Sequence, residues 1–297
     1  MEGPHALRRA LPLVVLAGVF FATLDATAKW LVQYHTLLFV VWARYAGQMV
    51  VATPIAWHRA GAGFWRTNHL RVQLARSLCL VIATACFVGA LRYLPLAEGT
   101  AIAFLAPMFA IVLSRPVLGE RPTRARWIAA VSGFAGIVIL VRPGSAVFHP
   151  ATALMVTAAV ANALYQLLTR KLTGDTADTT LFYSGLVGTV VLSLALPFTE
   201  IPGALPLRDW ALFLALGVFG GAGHGMLIGA YLRAPASLVA PFTYLHMIWA
   251  TIYGWLVFSH LPDGLSALGM AIIVGSGVAL VLHERRIVRQ PSRNAKG

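Results

Sequence analysis

Charge is scarce in this chain of 297 residues, of which only 11% are Asp, Glu, Lys or Arg. Soluble domains average about 25% charged residues, so the composition argues against an ordinary soluble fold. Hydrophobic residues make up 59% of the chain, and its mean hydropathy is +0.77. Apolar runs of ~18 or more residues are typical of membrane spans. The chain contains many such runs, separated by short polar breaks.

Several chemical motifs are missing as well. The two cysteines, Cys79 and Cys86, lie on one face of a single predicted helix. We therefore expect small apolar fillers with no redox or metal role. The chain has no GxxxxGK[ST] phosphate loop, which argues against ATP as the direct energy source. It has neither HExxH nor GxSxG, which argues against an intramembrane enzyme. No cofactor is expected.

The hydrophobic runs predict an all-α membrane protein with ten transmembrane helices and no soluble domain. Their all-round apolar character excludes the alternating strands of a porin-like barrel. Arg8 and Arg9 before the first run resemble the start of a signal peptide. That run is longer than a signal core, so we expect it to be retained. The predicted spans are 11–33, 37–57, 72–93, 96–118, 126–141, 151–171, 178–198, 209–232, 236–258 and 263–283.

The net charge of +13 is distributed very unevenly. Eighteen of the 23 Lys and Arg residues fall at one set of predicted helix ends, and only Arg92, Arg142 and Arg208 fall at the other. Cytoplasmic loops are enriched in Lys and Arg. The pattern therefore predicts that both termini are cytoplasmic, and it explains the basic charge without a nucleic-acid partner. We call the opposite end of the bundle the outer end.

The chain contains an internal repeat. When residues 94–122 are compared with 234–262 at a constant shift, Pro95 falls on Pro235, Leu105 on Leu245 and Pro122 on Pro262. We expect two five-span repeats over 1–145 and 146–284, followed by a basic cytoplasmic tail over 285–297. Because five is odd, the second repeat would be inverted in the membrane. Inverted repeats are typical of secondary transporters, whose substrate site lies near the midplane.

The sequence resembles the drug/metabolite transporter superfamily, EamA-type branch. The resemblance covers nearly the whole chain and rests on AKWL at the end of span one, on PLAEGTAIAFLAPMFA, on LGERPTRARWIAAVSGFAGIVILVRPG and on YLRAPASLVAPFTYLHMIW. The first repeat has Glu120 before span five where the second has His260. The resemblance implies a carrier of small metabolites, often an exporter, in the bacterial inner membrane. The implied cavity is lined by spans one to four and six to nine.

Four charged residues cluster in the outer half of the predicted spans, inward of the span ends: Asp25, Lys29, Arg44 and Glu98. Charges at this depth usually face a cavity or a partner. One interpretation is a polar vestibule lining of both signs, suited to a zwitterion. The other is a structural network, in which Asp25 pairs with Lys29 or with Arg44 and Lys29 extends outward along the helix.

Polar and aromatic residues near the midplane form the predicted substrate site. An aromatic wall with a few amides and one histidine would fit a planar or apolar group. Ordinary helix packing with interhelical hydrogen bonds remains the alternative. His224 stands among glycines spaced by four, where close packing is favoured over proton coupling. The predicted substrate-binding residues are Trp42, Tyr45, Gln48, Asn162, Tyr165, Tyr244, His246 and Trp249.

These features favour a secondary transporter that exports neutral or aromatic amino acids or related metabolites. A multidrug exporter of lipophilic cations is the alternative, but basic side chains stand near the membrane acids. A channel is less favoured because an inverted repeat suits alternating access. The predicted partners are a small-molecule substrate and the lipid bilayer.

Spans five and ten are nearly free of polar groups. They would pack either at the periphery of the bundle or against a second copy in a homodimer, and the sequence leaves both alternatives open.

The midplane site makes a direct prediction. The substitutions Gln48→Ala and His246→Ala should each lower the transport rate, because each removes a polar group from the predicted site. Transport by purified protein in proteoliposomes measures this effect. Normal rates in both variants would exclude the midplane site.

Overall fold

The computed structural model describes residues 3–172, 174–200, 202–203, 205–234 and 236–289, and these residues form helices and connecting loops without β-strands. The helices are α1 (Gly3–Tyr34), α2 (Leu37–Ala60), α3 (Leu70–Leu91), α4 (Leu96–Ala103), α5 (Ala106–Leu118), α6 (Arg124–Leu140), α7 (Ala151–Thr169), α8 (Ala177–Ala195), α9 (Leu207–Arg233), α10 (Ala236–Thr243), α11 (Leu245–Phe258) and α12 (Gly264–Arg289). Short 3-10 turns occupy Gly61–Gly63 and Leu196–Phe198.

Within these ranges, eight helical stretches are long and apolar enough to cross a membrane. The two predicted spans outside these eight are 126–141 and 236–258. Helix α6 has 17 residues, and the span predicted over 236–258 is divided into α10 and α11. The all-helical membrane class is therefore confirmed, while ten spans in two inverted repeats stay a prediction. Helix α12 extends into the predicted tail, whose residues 290–297 lie outside the described part of the chain, as does Pro235.

Both repeats carry the same interruption in their fourth span. Helices α4 and α10 begin and end at equivalent positions of the two repeats, and α6 and α12 begin at equivalent positions. The break falls at Phe104 and Leu105 in the first repeat and at Tyr244 in the second. Pro107 lies in the first turn of α5, where its missing N–H removes no helical hydrogen bond. The helix is thus interrupted just before this proline.

The two halves of the chain pack mainly on each other. Helix α1 lies along α9 and α11, α3 lies along α7, and α2 lies along α8 and α9. Helix α6 pairs with α12, and their outward faces, which include Val131 and Val138, are exposed at the periphery as expected. One buried cluster combines Leu105 and Met108 from the first half with Met247 and Ile273 from the second. The repeats are therefore not separate globular units.

Glycines allow the closest of these helix crossings. A Cβ atom built on Gly217 of α9 would collide with the backbone of Gly47 on α2. One turn later, a Cβ on Gly221 would come 3.3 Å from Val51, and a Cβ on Gly225 would meet nothing within 4 Å. Of the three glycines spaced by four on α9, the first two thus form the expected close packing contact, and the third does not. Small residues at such positions let helix backbones approach closely in membranes.

The substitution Gly217→Ala should destabilise the protein, because the added methyl group would force α2 and α9 apart. Overpacking of this kind costs about 1–3 kcal/mol. Gly225→Ala on the same helix is the matched control and should leave stability unchanged or raise it, since alanine has the higher helix propensity. Thermal unfolding of the detergent-solubilised variants measures both effects. Equal melting temperatures for the two would contradict the crossing.

Candidate functional site

Asp25 lies where three helices from both halves meet. Its residue is 6% exposed, on the part of α1 that packs against α11. Oδ1 lies 3.9 Å from Nη1 of Arg44 on α2, and Oδ2 lies 3.2 Å from Nε2 of His246 on α11. A carboxylate between two groups that can carry positive charge is compensated inside the bilayer. The structure therefore pairs Asp25 with Arg44 rather than with Lys29, and it adds His246.

This trio leaves hydrogen-bonding capacity unused. Nε2 of His246 is buried and makes no hydrogen bond within the described residues, because its approach to Asp25 lacks hydrogen-bonding geometry. The Arg44 guanidinium, which has five N–H donors, has Asp25 as an ion-pair partner but no hydrogen bond in the same part of the chain. Buried polar groups are normally hydrogen-bonded. Arg44 and His246 can therefore donate to a bound solute without first losing internal bonds.

Aromatic rings surround the histidine. The Phe21 ring lies 5.0 Å from the ring of His224 and 6.1 Å from that of His246, measured between centroids. The Phe104 ring lies 5.8 Å from His246. Phe104 stands at the break between α4 and α5, where the backbone leaves the helix. Sequence reasoning did not select Phe21 or Phe104, and only their proximity to Asp25 and Pro107 along the chain could have indicated them.

Three side-chain amides, two of them from predicted substrate-binding residues, make no hydrogen bond within the described ranges. Gln48 is 6% exposed, lies one helical turn from Arg44, and makes no hydrogen bond with a described residue. Asn162 and Gln166 share a face of α7 and are half-buried, again without a hydrogen bond from their side chains in the described ranges. Their substrate contact stays a prediction, and their unused amides are compatible with it.

The predicted aromatic residues mostly have packing partners of their own. The Tyr45 hydroxyl lies 2.9 Å from Oγ1 of Thr84, and its ring lies directly against Gly188. Trp42 donates to Ser193 over 2.9 Å. The hydroxyl of Tyr244 lies against Gly277 of α12. Trp249 packs on Gly18 of α1, where a Cβ would come 3.2 Å from Cδ1. These contacts match the helix-packing alternative, and the structure does not bring these side chains together around Asp25.

Lys29 and Glu98 form a separate group nearer the outer end. Lys29 does not extend outward: it is buried, and Nζ donates to the carbonyl oxygens of Leu91 and Leu94 over 2.6 and 2.7 Å. These carbonyls lack helical partners because α3 ends there. Glu98 contacts His260 instead, with Oε1 2.8 Å from Nε2. The four predicted charges therefore divide into two groups.

Arg76 was assigned by its sequence position to the cytoplasmic helix ends, but the structure places it inside the bundle. Its residue is 1% exposed. Nε donates to Thr169 over 2.9 Å, and Nη1 donates to Gln73, to Ser184 and to the carbonyl of Thr180. Its guanidinium lies 4.5 Å from the ring centroid of Tyr165. The three-residue spacing of Gln73 and Arg76 on one face of α3 was the available signal.

Known proteins resemble this chain over nearly its whole length. The model of the EamA-like transporter family matches residues 8–142 and 149–282. A riboflavin transporter of Vibrio cholerae is 33% identical over 279 residues, covering 91% of each chain. An S-adenosylmethionine uptake transporter of Rickettsia felis is 26% identical over 264 residues, covering 88% of each. A pseudopaline exporter of Pseudomonas aeruginosa is 28% identical over 281 residues, covering 92% of this chain and 96% of the exporter.

The substitution Arg76→Ala should destabilise the protein strongly, because it removes a buried charge with several hydrogen bonds. Hydrogen bonds to charged groups contribute about 1.5–3 kcal/mol each, so we expect a loss on the order of 3 kcal/mol. Arg71 is exposed on the same helix, and Arg71→Ala is the matched control with little expected effect. Thermal unfolding in detergent measures the difference. A wild-type melting temperature for Arg76→Ala would show that this network is dispensable for stability.

Proposed function

The chain belongs to the EamA-like transporter family, and from that premise we propose that it carries riboflavin, or a closely related planar heteroaromatic metabolite, across the bacterial inner membrane. It works as a secondary transporter by alternating access, with both termini cytoplasmic. Gradients set the direction of net flux, since the chain has no phosphate loop for ATP. The relatives include both an uptake transporter and an exporter, so a fixed direction is not part of the proposal.

The observation that carries this proposal is the Asp25–Arg44–His246 trio beside the rings of Phe21 and Phe104. Riboflavin has a flat ring system with carbonyl and N–H groups along one edge. Aromatic side chains favour stacked or edge-on contacts with such a ring. The unused donors of Arg44 suit the carbonyl oxygens, and Asp25 suits an N–H group. The 33% identity to a riboflavin transporter supports the same substrate class.

Neutral or aromatic amino acids are the second candidate. The observation in their favour is the presence of both charge signs, since Arg44 would receive the carboxylate and Asp25 the ammonium group. The two side chains lie 3.9 Å apart and already compensate each other, however, so an amino acid would have to separate them. A lipophilic cation is less favoured, because Asp25 already has Arg44 and His246 beside it.

Counterflow in proteoliposomes distinguishes these substrates. Purified protein would be reconstituted in vesicles loaded with unlabelled solute, and uptake of labelled riboflavin, phenylalanine, tryptophan, S-adenosylmethionine and a quaternary ammonium dye would be compared. We expect saturable exchange of riboflavin. Exchange of amino acids alone would favour the second candidate. Exchange of the dye alone would favour the multidrug alternative, and silence from all five would remove the substrate assignment.

The variants Arg44→Gln and Asp25→Asn should lower exchange by about tenfold or more, which corresponds to a loss of ~1.4 kcal/mol of binding free energy. Arg71→Gln, at an exposed position, is the control and should exchange normally. Melting temperature in detergent is measured alongside. If Asp25→Asn unfolds the protein while Arg44→Gln exchanges normally, the trio is structural and the proposed site is wrong.

A further inference from the structure

Ion pairs join the two halves of the chain at both ends of the bundle. At the end that the basic residues assign to the cytoplasm, the described residues form three: Arg59–Asp178, Glu120–Arg170 and Arg126–Glu284. At the outer end they also form three: His35–Asp209, Glu98–His260 and Arg142–Asp263. Each of the six has one partner in each half. Alternating access requires the halves to separate at one end at a time, so these pairs must break and form in turn.

The two ends differ in the chemistry of their pairs. In the three cytoplasmic pairs named above, the cation is always an arginine, which stays protonated at any relevant pH. In the three outer pairs, two of the cationic partners are histidines, the side-chain type that ordinarily gains or loses its charge between about pH 5 and 8. The repeat makes the contrast direct, because Glu120 and His260 occupy equivalent positions and each pairs with the opposite half. The two outer histidine pairs can therefore respond to external protons.

The two outer histidine pairs are also the most buried of the six. The side chains of His35 and Asp209 are each 10% exposed, and that of Glu98 is 1% exposed. Each arginine pair, by contrast, has at least one side chain that is 41% exposed or more. Water screens exposed pairs, which contribute about 0–1 kcal/mol. Closure of the outer end therefore depends mainly on the histidine pairs.

Glu98 shows how much one of these pairs depends on its histidine. Oε1 contacts His260, while Oε2 is buried and has no hydrogen-bond partner in the described part of the chain. A buried carboxylate is costly unless it is paired and hydrogen-bonded. The imidazolium form of His260 supplies both charge and hydrogen bond, whereas the neutral form supplies at most the hydrogen bond.

The charged neighbours of both pairs are few. Around Glu98, α1 contributes Lys29, which acts on the carboxylate electrostatically and binds two carbonyls of the α3 end. Helix α11 contributes Tyr253, whose hydroxyl lies 2.6 Å from Thr23, and α7 contributes no charged side chain over 151–169. Arg142 and Asp263, at the ends of α6 and α12, are paired with each other.

Around His35 and Asp209, the neighbouring positive charge on α9 is Arg208. Its guanidinium stacks over Trp30 of α1 at 4.1 Å from the ring centroid. Glu200 approaches through its backbone carbonyl, which accepts a hydrogen bond from Thr36. The ring of Phe213 lies 5.2 Å from the His35 ring and excludes water on that side. In the described ranges, each histidine therefore has one carboxylate partner.

We propose that His35–Asp209 and His260–Glu98 are proton-binding sites that hold the outer end of the carrier closed. This inference rests on the alternating access of the proposed function, and it names the proton as the ligand that controls its outer opening. With a proton on each imidazole, both pairs are ion pairs and the outer end is closed. Loss of the two protons to the external solution leaves neutral histidines against buried carboxylates, and the halves separate. Rebinding of two protons accompanies closure.

The test measures the outer opening without any substrate. Spin labels would be attached through Tyr93→Cys and Phe198→Cys, which are exposed outer positions in opposite halves, after replacement of the two native cysteines by alanine. Distances between the labels would be measured by pulsed electron–electron double resonance in nanodiscs. The measurements would be made at about pH 5.5 and pH 8, on either side of the ordinary pKa of histidine. We expect longer distances at the higher pH.

Variants test whether protonation of the histidines, rather than the mere presence of a hydrogen-bonded pair, controls the opening. In the double variant His35→Gln and His260→Gln, glutamine keeps a hydrogen-bond donor but cannot titrate, so the distances should be the same at both pH values. Arg142→Gln removes the non-titrating outer pair, and Arg170→Gln removes a cytoplasmic one; both should keep the pH response. Equal distances at both pH values in the starting protein, or a full response in the double variant, would overturn the proposal.

Transport distinguishes this inference from the substrate assignment. When the external pH is raised over the same range, the rate of solute exchange should change by about fivefold or more in the starting protein. In the double variant the rate should change by less than about twofold. A pH-dependent distance between the labels without exchange of any tested solute would contradict the substrate assignment and support the proton-binding sites. Exchange with no pH-dependent distance would support the carrier and overturn the proton sites.

Discussion

A carboxylate inside a bilayer must be compensated, and the position of Asp25 reflects that constraint. Its two oxygens are shared between Arg44 from the same half and His246 from the other. The pairing draws α1, α2 and α11 together at one point. Because those helices also carry Phe21 and Gln48, the compensation of one charge places polar and aromatic groups in the same region. The candidate site thus follows from a requirement of stability as much as from one of recognition.

The two halves of the chain also depend on each other away from Asp25, through a close helix crossing and through ion pairs at the bundle ends. Helices α2 and α9 can cross closely only because Gly47 faces Gly217, and the same two helices carry Arg44 and His224. At the bundle ends, the halves meet through ion pairs of different composition, arginine at one end and mainly histidine at the other. The two ends of one interface therefore differ in chemistry.

Much of the fold could be predicted from the sequence, because membrane spans are recognised by length and hydropathy alone. The all-helical class and the paired repeats follow from that signal. The interruptions at Phe104 and Tyr244 and the crossing at Gly217 depend on which helices meet, which periodicity does not specify. The candidate site was harder to predict from the sequence than the fold. Asp25, Arg44 and His246 were each selected by depth, and the pairing of Asp25 with Arg44 was one of the alternatives, but the addition of His246 depends on how α1 and α11 pack. Arg76 was misplaced because a basic residue near a helix end usually faces water, whereas here four hydrogen bonds hold it inside.

The interlocked packing of the halves also constrains how the protein is made. Helices α1, α2 and α3 find their main partners in α7, α8, α9 and α11, which are synthesised later. At about 5–20 residues per second, the second half follows the first after a time on the order of ten seconds. During that interval Asp25 has no His246, and Arg76 has neither Thr169 nor Ser184. The early spans must therefore wait in the membrane with Asp25 compensated by Arg44 alone and with Arg76 lacking most of its hydrogen bonds, until the last helices arrive.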